Sequence, residues 1–195
     1  MIKPFEFYFD FVSPYSFLAH KELKKLEKRE LVKVKYMPIL LGGLHNLNGI
    51  KAPAFIPAKA KFMIRDCKMI AEKRKIKFKF NSYFPIKTLN LMRGAIIAQE
   101  DDFQKFYIDK IFDSIWHDGL NMNDQNIIDK VLKNNEINPK TFFLRASSQS
   151  VKNLLKKKTD EAFEKGIFGA PTFLINGKVF WGQDRLEFAI AEASK

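Results

Sequence analysis

The sequence predicts an α/β protein in which strands at the two ends of the chain enclose a long helical block. Residues 4–11 and residues 31–37 read as strands separated by a helical pattern, which is a βαβ unit with parallel strands. The region from about 58 to 165 contains little strand signal and several helical stripes. Near the end of the chain, Asn176-Gly177 between two apolar runs is the strongest short-range signal for a hairpin.

Size and cysteine content predict a small protein of a reducing compartment. The chain has 195 residues, of which 46% are hydrophobic, and this suits one domain or a small domain carrying an insertion. No apolar run is long enough to cross a membrane, and the first residues do not resemble a signal peptide. Cys67 is the single cysteine, so an intrachain disulfide is excluded. We therefore expect a cytoplasmic protein without a membrane partner.

The charge and the histidines point to no macromolecular or metal partner. The formal net charge is +12, but the lysines are dispersed, and their longest run is Lys156-Lys157-Lys158 on a predicted helix. We expect no nucleic-acid partner from this distribution, although the positive field would attract small anions. The three histidines are too scattered for a zinc site, so no metal is expected.

The first elements follow from aromatic alternation and helix capping. Strand 4–11 is rich in Phe and Tyr, and Ser13-Pro14 then places a good N-cap and a first-turn proline at the start of a helix over 13–29. The alternating sequence of residues 31–37 completes the unit.

The middle of the chain is predicted to be helical after an irregular start. Residues 38–53 contain five glycines and prolines, which we read as breaking any regular pattern. An apolar stripe predicts a helix over 58–74. The later helices are marked by candidate N-caps at Thr88, at Asp101 or Asp102, at Asp124, at Asn138 and at about Ser148, and the last of them ends at Gly166.

The C-terminal part is predicted to contain a hairpin and one helix. Residues 172–176 and 178–181 form the two strands. Asp184, with Glu187 three residues later, matches a capping box at the start of the last helix.

Ser13-Pro14 has two interpretations. An ordinary helix cap accounts for both residue types. The same geometry also creates an anion site, because the N-terminus of a helix has partial positive charge and free N–H donors. A thiolate is one anion that such a site stabilises.

Two C-terminal stretches have comparable double interpretations. In 166–172, the Ala170-Pro171 bond is a normal breaker between helix and strand, or a cis bond that leaves the Ala170 backbone at an edge strand free to pair with a peptide-like ligand. In 180–185, Asp184 is an N-cap, or Asp184 and Arg185 together recognise an amino-acid zwitterion.

Four segments follow one another along the chain: FYFDFVSPYSFLAH, APAFIPAKAKFMIRD, WHDGLNMND and GIFGAPTFLINGKVFWGQDRLEFA. In this order they closely resemble the family of 2-hydroxychromene-2-carboxylate isomerase, which is akin to the kappa-class glutathione transferases. The resemblance covers nearly the whole chain and implies a thioredoxin-like fold with a helical insertion domain, similar to DsbA. Residues 1–40 and 166–195 would form the thioredoxin-like domain, and residues 41–165 the inserted helical domain.

The resemblance implies glutathione as the cofactor, because SPYS replaces the Cys-x-x-Cys pair of the oxidoreductase relatives. Ser13 would be the catalytic hydroxyl that holds the glutathione sulfur. The remaining cofactor-binding residues implied by the family are Ala170 and Pro171 for the cysteinyl backbone, Gln183, Asp184 and Arg185 for the γ-glutamyl end, and Lys59 near the ligand.

One family feature is displaced in this chain. The family often has an Asn a few residues before the proline-containing segment that leads to Lys59, and here Ile50 stands at that distance, with Asn48 two residues earlier. Either the loop is shifted by two residues or one ligand contact is missing.

The implied activity is a glutathione-dependent isomerase, in which the thiolate adds reversibly to an unsaturated aromatic carboxylate. A kappa-type glutathione transferase or peroxidase is the alternative within the same resemblance, and a non-catalytic glutathione or peptide binder is the alternative outside enzymes. A homodimer is also implied. Cys67 lies on the apolar stripe of its helix, so we read it as a buried structural thiol rather than a redox sensor.

Overall fold

Four strands form one mixed sheet in the computed structural model, which describes residues 4–195. In spatial order they are β2 (Val34–Pro38), β1 (Phe5–Phe9), β3 (Thr172–Ile175) and β4 (Lys178–Trp181). β1 is parallel to β2 and antiparallel to β3, and β3 is antiparallel to β4. Both Asn176 and Gly177 have positive φ, at 49° and 74°, as a tight hairpin turn requires. The predicted βαβ unit and hairpin are therefore confirmed.

The predicted helices are all present and in the predicted order, and the structure adds one helix, α2 (Leu41–Leu47), that the sequence did not indicate. Seven of them, α2 to α8, lie between β2 and β3 in the described chain. The helices are α1 (Pro14–Lys28), α2 (Leu41–Leu47), α3 (Pro57–Lys73), α4 (Leu89–Glu100), α5 (Gln104–Trp116), α6 (Gln125–Asn134), α7 (Pro139–Ala146), α8 (Gln149–Glu164) and α9 (Leu186–Ala193). The division into domains at residues 40/41 and 165/166 stays a prediction, and residues 1–3 lie outside the described part. No helix within residues 4–195 has the length and hydropathy needed to cross a membrane.

The sheet is covered on both faces, which explains why β1 is so aromatic. Phe5, Phe7 and Phe9 are fully buried on one face, where the ring of Phe7 stacks on that of Phe173 at a centroid distance of 5.6 Å. On the other face, Tyr8 belongs to a smaller cluster with side chains of α2 and α8. Alternating side chains of β1 thus enter two separate cores.

Helix α2 corrects the prediction that residues 38–53 lack regular structure. Leu44 is fully buried in the smaller cluster, and the amide of Leu41 donates to a carboxylate oxygen of Asp10 at 2.8 Å. Packing and a cap from another element therefore outweigh the low helix propensity of Gly42 and Gly43.

Some of the predicted helix N-caps are confirmed by the structure, and others are wrong. Asp124, Asn138 and Ser148 each accept a hydrogen bond from the first turn of the following helix, as predicted. Thr88 precedes α4 without capping it, because its backbone is helical rather than extended and its hydroxyl is directed toward Asp10, to which it donates. The predicted cap at Asp101 or Asp102 is also wrong. Phe103 is the residue before α5, Asp101 pairs with Arg145, and Asp102 has a positive φ of 60°.

Helix α1 is fixed against α5 by a partly buried ion cluster. His20 Nε2 lies 3.2 Å from Asp109 Oδ1, and Lys21 Nζ lies 2.8 Å from the same oxygen. Burial opposes ionisation of Asp109, but its hydrogen bonds with His20, Lys21 and Lys24 hold its pKa below the usual range. The cluster holds the helix that begins at Ser13 in a defined position.

Candidate active site

Ser13 caps α1 and connects it by a hydrogen bond to the segment that precedes β3. Its Oγ accepts a hydrogen bond from the Ser16 amide at 3.1 Å and donates one to the Ala170 carbonyl at 3.0 Å. The side chain is 5% exposed. Pro14 has no amide hydrogen, so the Tyr15 amide is the donor of this first turn that these bonds leave free. Both interpretations of Ser13 are compatible with this geometry.

Asp10 holds the loop in front of Ser13, and the sequence reasoning did not single it out. The Ser13 amide donates to the Asp10 carbonyl at 3.1 Å. The Asp10 carboxylate is 1% exposed and accepts from the Val12 amide at 3.0 Å, the Leu41 amide at 2.8 Å and the Thr88 hydroxyl at 2.6 Å. Burial raises the pKa of Asp10, and these three donors oppose the rise. The only signal in the sequence was an acidic residue at the end of a buried strand.

Ala170 and Pro171 lie directly against Ser13, and the peptide bond between them is cis. The expectation that they start an edge strand is wrong, because β3 lies between β1 and β4. Strand addition along β3 is therefore blocked by β4. Since the Ala170 carbonyl already accepts the Ser13 hydroxyl, the Ala170 amide is the group that a peptide-like ligand would find.

The turn Gln183–Arg185 is connected to the Ala170-Pro171 segment through Gly182. The Gly182 amide donates to the Pro171 carbonyl at 2.9 Å. Gly182 has a φ of 104°, and a Cβ there would lie 2.5 Å from Asp184 Oδ1. Ser13, Pro171 and the turn are thus connected by a short chain of hydrogen bonds.

Asp184 does not cap the last helix, which corrects the predicted capping box with Glu187. The residues Gln183–Arg185 form a separate 3₁₀ turn, and α9 begins after it at Leu186 without a side-chain cap. Asp184 Oδ2 instead accepts from the Arg185 guanidinium at 2.7 Å, and both side chains are exposed. The pair therefore presents one negative and one positive group to solvent.

Gln183 is the buried member of the turn. It is 8% exposed, and its Oε1 has no hydrogen-bond partner among residues 4–195. Ser16 Oγ, in the fourth position of the SPYS motif, is also buried without a partner in the described chain. Unsatisfied buried acceptors are uncommon in native proteins and call for an explanation.

Lys59 lies in the first turn of α3 with an exposed side chain, and within residues 4–195 it forms no ion pair. Asn48 is the C-cap of α2, and its side-chain Nδ2 donates to the Leu44 carbonyl at 2.9 Å and to the Ile167 carbonyl at 3.4 Å. Ile50 is exposed. Asn48 rather than Ile50 is thus the residue attached to the segment that leads to Ala170.

Cys67 is fully buried, and burial, followed by the nearby Asp66 carboxylate, raises the pKa of its thiol well above the usual range. A thiol that stays protonated and inaccessible is a poor nucleophile. This result agrees with the prediction of a structural cysteine.

A surface cavity of about 380 Å³ lies away from these residues, between α4, α5 and the loop before α7. Arg145 at its rim is already paired with Glu100 and Asp101. We place the candidate site at Ser13 because two of the buried side-chain atoms without a partner in the described chain, Ser16 Oγ and Gln183 Oε1, lie in α1 and in the turn Gln183–Arg185.

Comparison with known proteins identifies the fold of the chain. A family model described as DSBA-like thioredoxin domain matches residues 5–192. The chain is 28% identical to a 2-hydroxychromene-2-carboxylate isomerase of Sphingobium xenophagum, over 96% of each chain. It is 25% identical to a glutathione S-transferase kappa 1 of Rattus norvegicus, over 93% of this chain and 87% of the other.

A solved structure of a 2-hydroxychromene-2-carboxylate isomerase superposes with a TM-score of 0.88 at 22% identity, covering 97% of this chain and 93% of the other. At 22% identity the superposition shows a shared fold and not a shared activity. The thioredoxin-like fold predicted from the sequence is confirmed.

Proposed function

Because the chain belongs to the family of DSBA-like thioredoxin domains, we propose that it is a glutathione-dependent isomerase of an unsaturated aromatic carboxylate, of the 2-hydroxychromene-2-carboxylate type. The observation that carries the proposal is the position of the Ser13 hydroxyl, at the start of α1 and in contact with Ala170. Relatives named as such isomerases cover nearly the whole chain and support the choice of reaction.

The chain itself offers no sulfur for the chemistry of a thioredoxin-like site. Ser13 and Ser16 stand at the two ends of the motif in which oxidoreductases have cysteines, and Cys67 is buried with a raised pKa. Dithiol exchange is therefore excluded, and the nucleophile has to be brought in by a small thiol.

The polar groups near Ser13, together with Lys59 of α3, would complement the groups of glutathione. Glutathione is a tripeptide with a thiol, two carboxylates and one ammonium group. Its peptide groups need backbone partners, its carboxylates need cations, and its ammonium group needs an anion. The Ala170 backbone would hold the cysteinyl part, and Asp184 and Arg185 the γ-glutamyl end. Lys59 would hold a carboxylate. A turn of the Gln183 side chain toward the surface would present its Oε1, which has no partner in the described chain, to an ammonium group.

When bound, glutathione supplies a thiolate that adds reversibly to an unsaturated carbon of the substrate. The protein's contribution is to stabilise negative charge beside α1. The Ser13 O–H donates to the Ala170 carbonyl and would turn toward the bound sulfur, and the Tyr15 amide would add a second donor.

Ligand binding also requires the Asp184–Arg185 pair to open. This pair is exposed, and exposed ion pairs contribute little to stability, so its two members are readily available to groups of opposite charge. The net charge of +12 favours the approach of a carboxylate substrate.

The direct test compares the wild-type protein with Ser13→Ala and with Ser148→Ala, another serine N-cap that lies elsewhere. Conversion of 2-hydroxychromene-2-carboxylate with catalytic glutathione is followed by absorbance. We expect Ser13→Ala to reduce turnover about 100-fold, as loss of one hydrogen-bond donor to a developing anion does, and Ser148→Ala to have no effect. Full turnover by Ser13→Ala would refute the role of Ser13.

A kappa-type transferase or peroxidase is the second candidate, because relatives named glutathione S-transferase kappa also cover most of the chain. The same assay separates the two functions. A product that retains glutathione, or accumulation of oxidised glutathione with a peroxide, identifies the second candidate, whereas recycled glutathione identifies the isomerase. The homodimer and the cytoplasmic location stay predictions.

A further inference from the structure

Helix α3 contacts the start of α1 through one hydrogen bond between side chains. The Tyr15 hydroxyl donates to Asp66 Oδ2 at 2.7 Å, and this contact is partly buried. Tyr15 follows Ser13 by two residues and lies in the first turn of α1. Burial, followed by the Asp66 carboxylate, raises the pKa of Tyr15, so the phenol remains a donor at neutral pH.

Lys59 and Asp66 lie on the same face of α3. They are seven residues apart, which is close to two helical turns and about 10 Å along the axis. Because a helix is rigid over two turns, the contact at Asp66 contributes to fixing where the first turn of α3 lies relative to α1. The neighbouring Cys67 is fully buried, so this part of α3 is firmly packed.

The far end of α3 contacts the other part of the candidate site. Arg74 follows the last residue of α3, and its Nη2 lies 3.5 Å from the Gln183 carbonyl. This contact is long and contributes less than the bond of Tyr15. Helix α3 therefore spans from α1 to the turn Gln183–Arg185, and its firmest side-chain attachment to the Ser13 motif is through Asp66.

We infer that Tyr15 and Asp66 are positioning residues for glutathione. Their hydrogen bond holds the first turn of α3, and with it Lys59, in position relative to α1, and so increases glutathione affinity through Lys59. Neither of the two side chains contacts the ligand. This inference rests on the proposed function for the identity of the ligand and on the geometry of α3 for the coupling.

The binding test is a double-mutant cycle measured by calorimetry with glutathione. Tyr15→Phe removes one hydrogen bond and is expected to raise the Kd about 3- to 10-fold. In the Lys59→Gln background the same substitution is expected to add less than about 2-fold, because its effect passes through Lys59. Tyr83→Phe is the control, since Tyr83 is exposed and should not alter affinity. Additive effects of Tyr15→Phe and Lys59→Gln would overturn the inference.

The Asp66 variants distinguish positioning from a general loss of packing. Asn has a side-chain oxygen that still accepts from the Tyr15 hydroxyl, so Asp66→Asn should retain affinity within about 2-fold. Asp66→Ala should reproduce Tyr15→Phe. Equal loss in both Asp66 variants would contradict a role for the hydrogen bond and point to the carboxylate charge instead.

Hydrogen exchange in the ligand-free protein tests the coupling without glutathione. Tyr15→Phe is expected to accelerate exchange of the amides of residues 60–63 in α3 and to leave those of the sheet unchanged. Faster exchange in a protein whose wild type fails to bind glutathione would refute the proposed function and support the coupling. Unchanged exchange at residues 60–63 would overturn the positioning role, whatever the affinities.

Discussion

Replacement of Ser13 by alanine is expected to lower stability as well as function, because its hydroxyl makes two hydrogen bonds within the protein. Loss of an N-cap costs about 1 kcal/mol, and loss of the bond to the Ala170 carbonyl costs about another 1 kcal/mol. Ser148 caps α8 with a longer bond of 3.4 Å and makes no comparable contact with a distant strand. Ser148→Ala should therefore cost about 1 kcal/mol or less, and Ser13→Ala about 2 kcal/mol.

Urea denaturation at neutral pH, followed by circular dichroism, measures both variants against the wild type. The expected difference of about 1 kcal/mol between them corresponds to about 2–4 °C in Tm for a chain of this size. If Ser13→Ala is no less stable than Ser148→Ala, the bond to Ala170 contributes nothing, and the idea that this bond assembles the site is refuted. Glutathione affinity, measured on the same samples, separates the loss of stability from the loss of function.

Three further predictions concern stability. Asp10→Asn places an amide among three hydrogen-bond donors and should lower the free energy of unfolding by about 2–3 kcal/mol in a urea titration. Gly94→Ala would bring a Cβ to 2.3 Å from the buried ring of Phe142 and should lose about 2–3 kcal/mol by the same measurement, whereas Gly42→Ala, with no atom within 4 Å, should gain up to about 1 kcal/mol. Burial lowers the pKa of His20 below 6.5, so the unfolded chain binds this proton more readily, and the free energy of unfolding should fall as the pH is lowered through 6.5. A His20→Gln variant that retains the full slope would show that another group is responsible.

Much of the candidate site could be predicted because its parts are local motifs. The start of α1 at Ser13 and the hairpin at Asn176-Gly177 each depend on contacts within a few residues. The resemblance to a known family then indicated that SPYS, GAPTF and WGQDR belong to one site. Hydrophobic periodicity carries no such information. Residues that act through distant partners, such as Asp10 and Asp66, carried little local signal and were missed.

The errors in capping have the same physical origin. Thr88 and Asp101 have the residue types of helix caps, yet Thr88 donates to Asp10 and Asp101 pairs with Arg145. A side chain that can cap a helix can equally bind a stronger partner that folding brings near. Local propensity is a weak predictor wherever such a competitor exists.

The amino-acid sequence by itself determined the order of the strands along the chain, most helix positions and the hydroxyl at the start of α1, because these follow from side-chain period and from bonds to neighbouring residues. Only the tertiary structure decided that α2 is a helix, that Ser13 donates to Ala170 across a separation of 157 residues, and that Tyr15 meets Asp66 across 51. Contacts over such separations form only when burial of the apolar faces compensates the entropy of closing the chain, and that burial is a property of the whole fold.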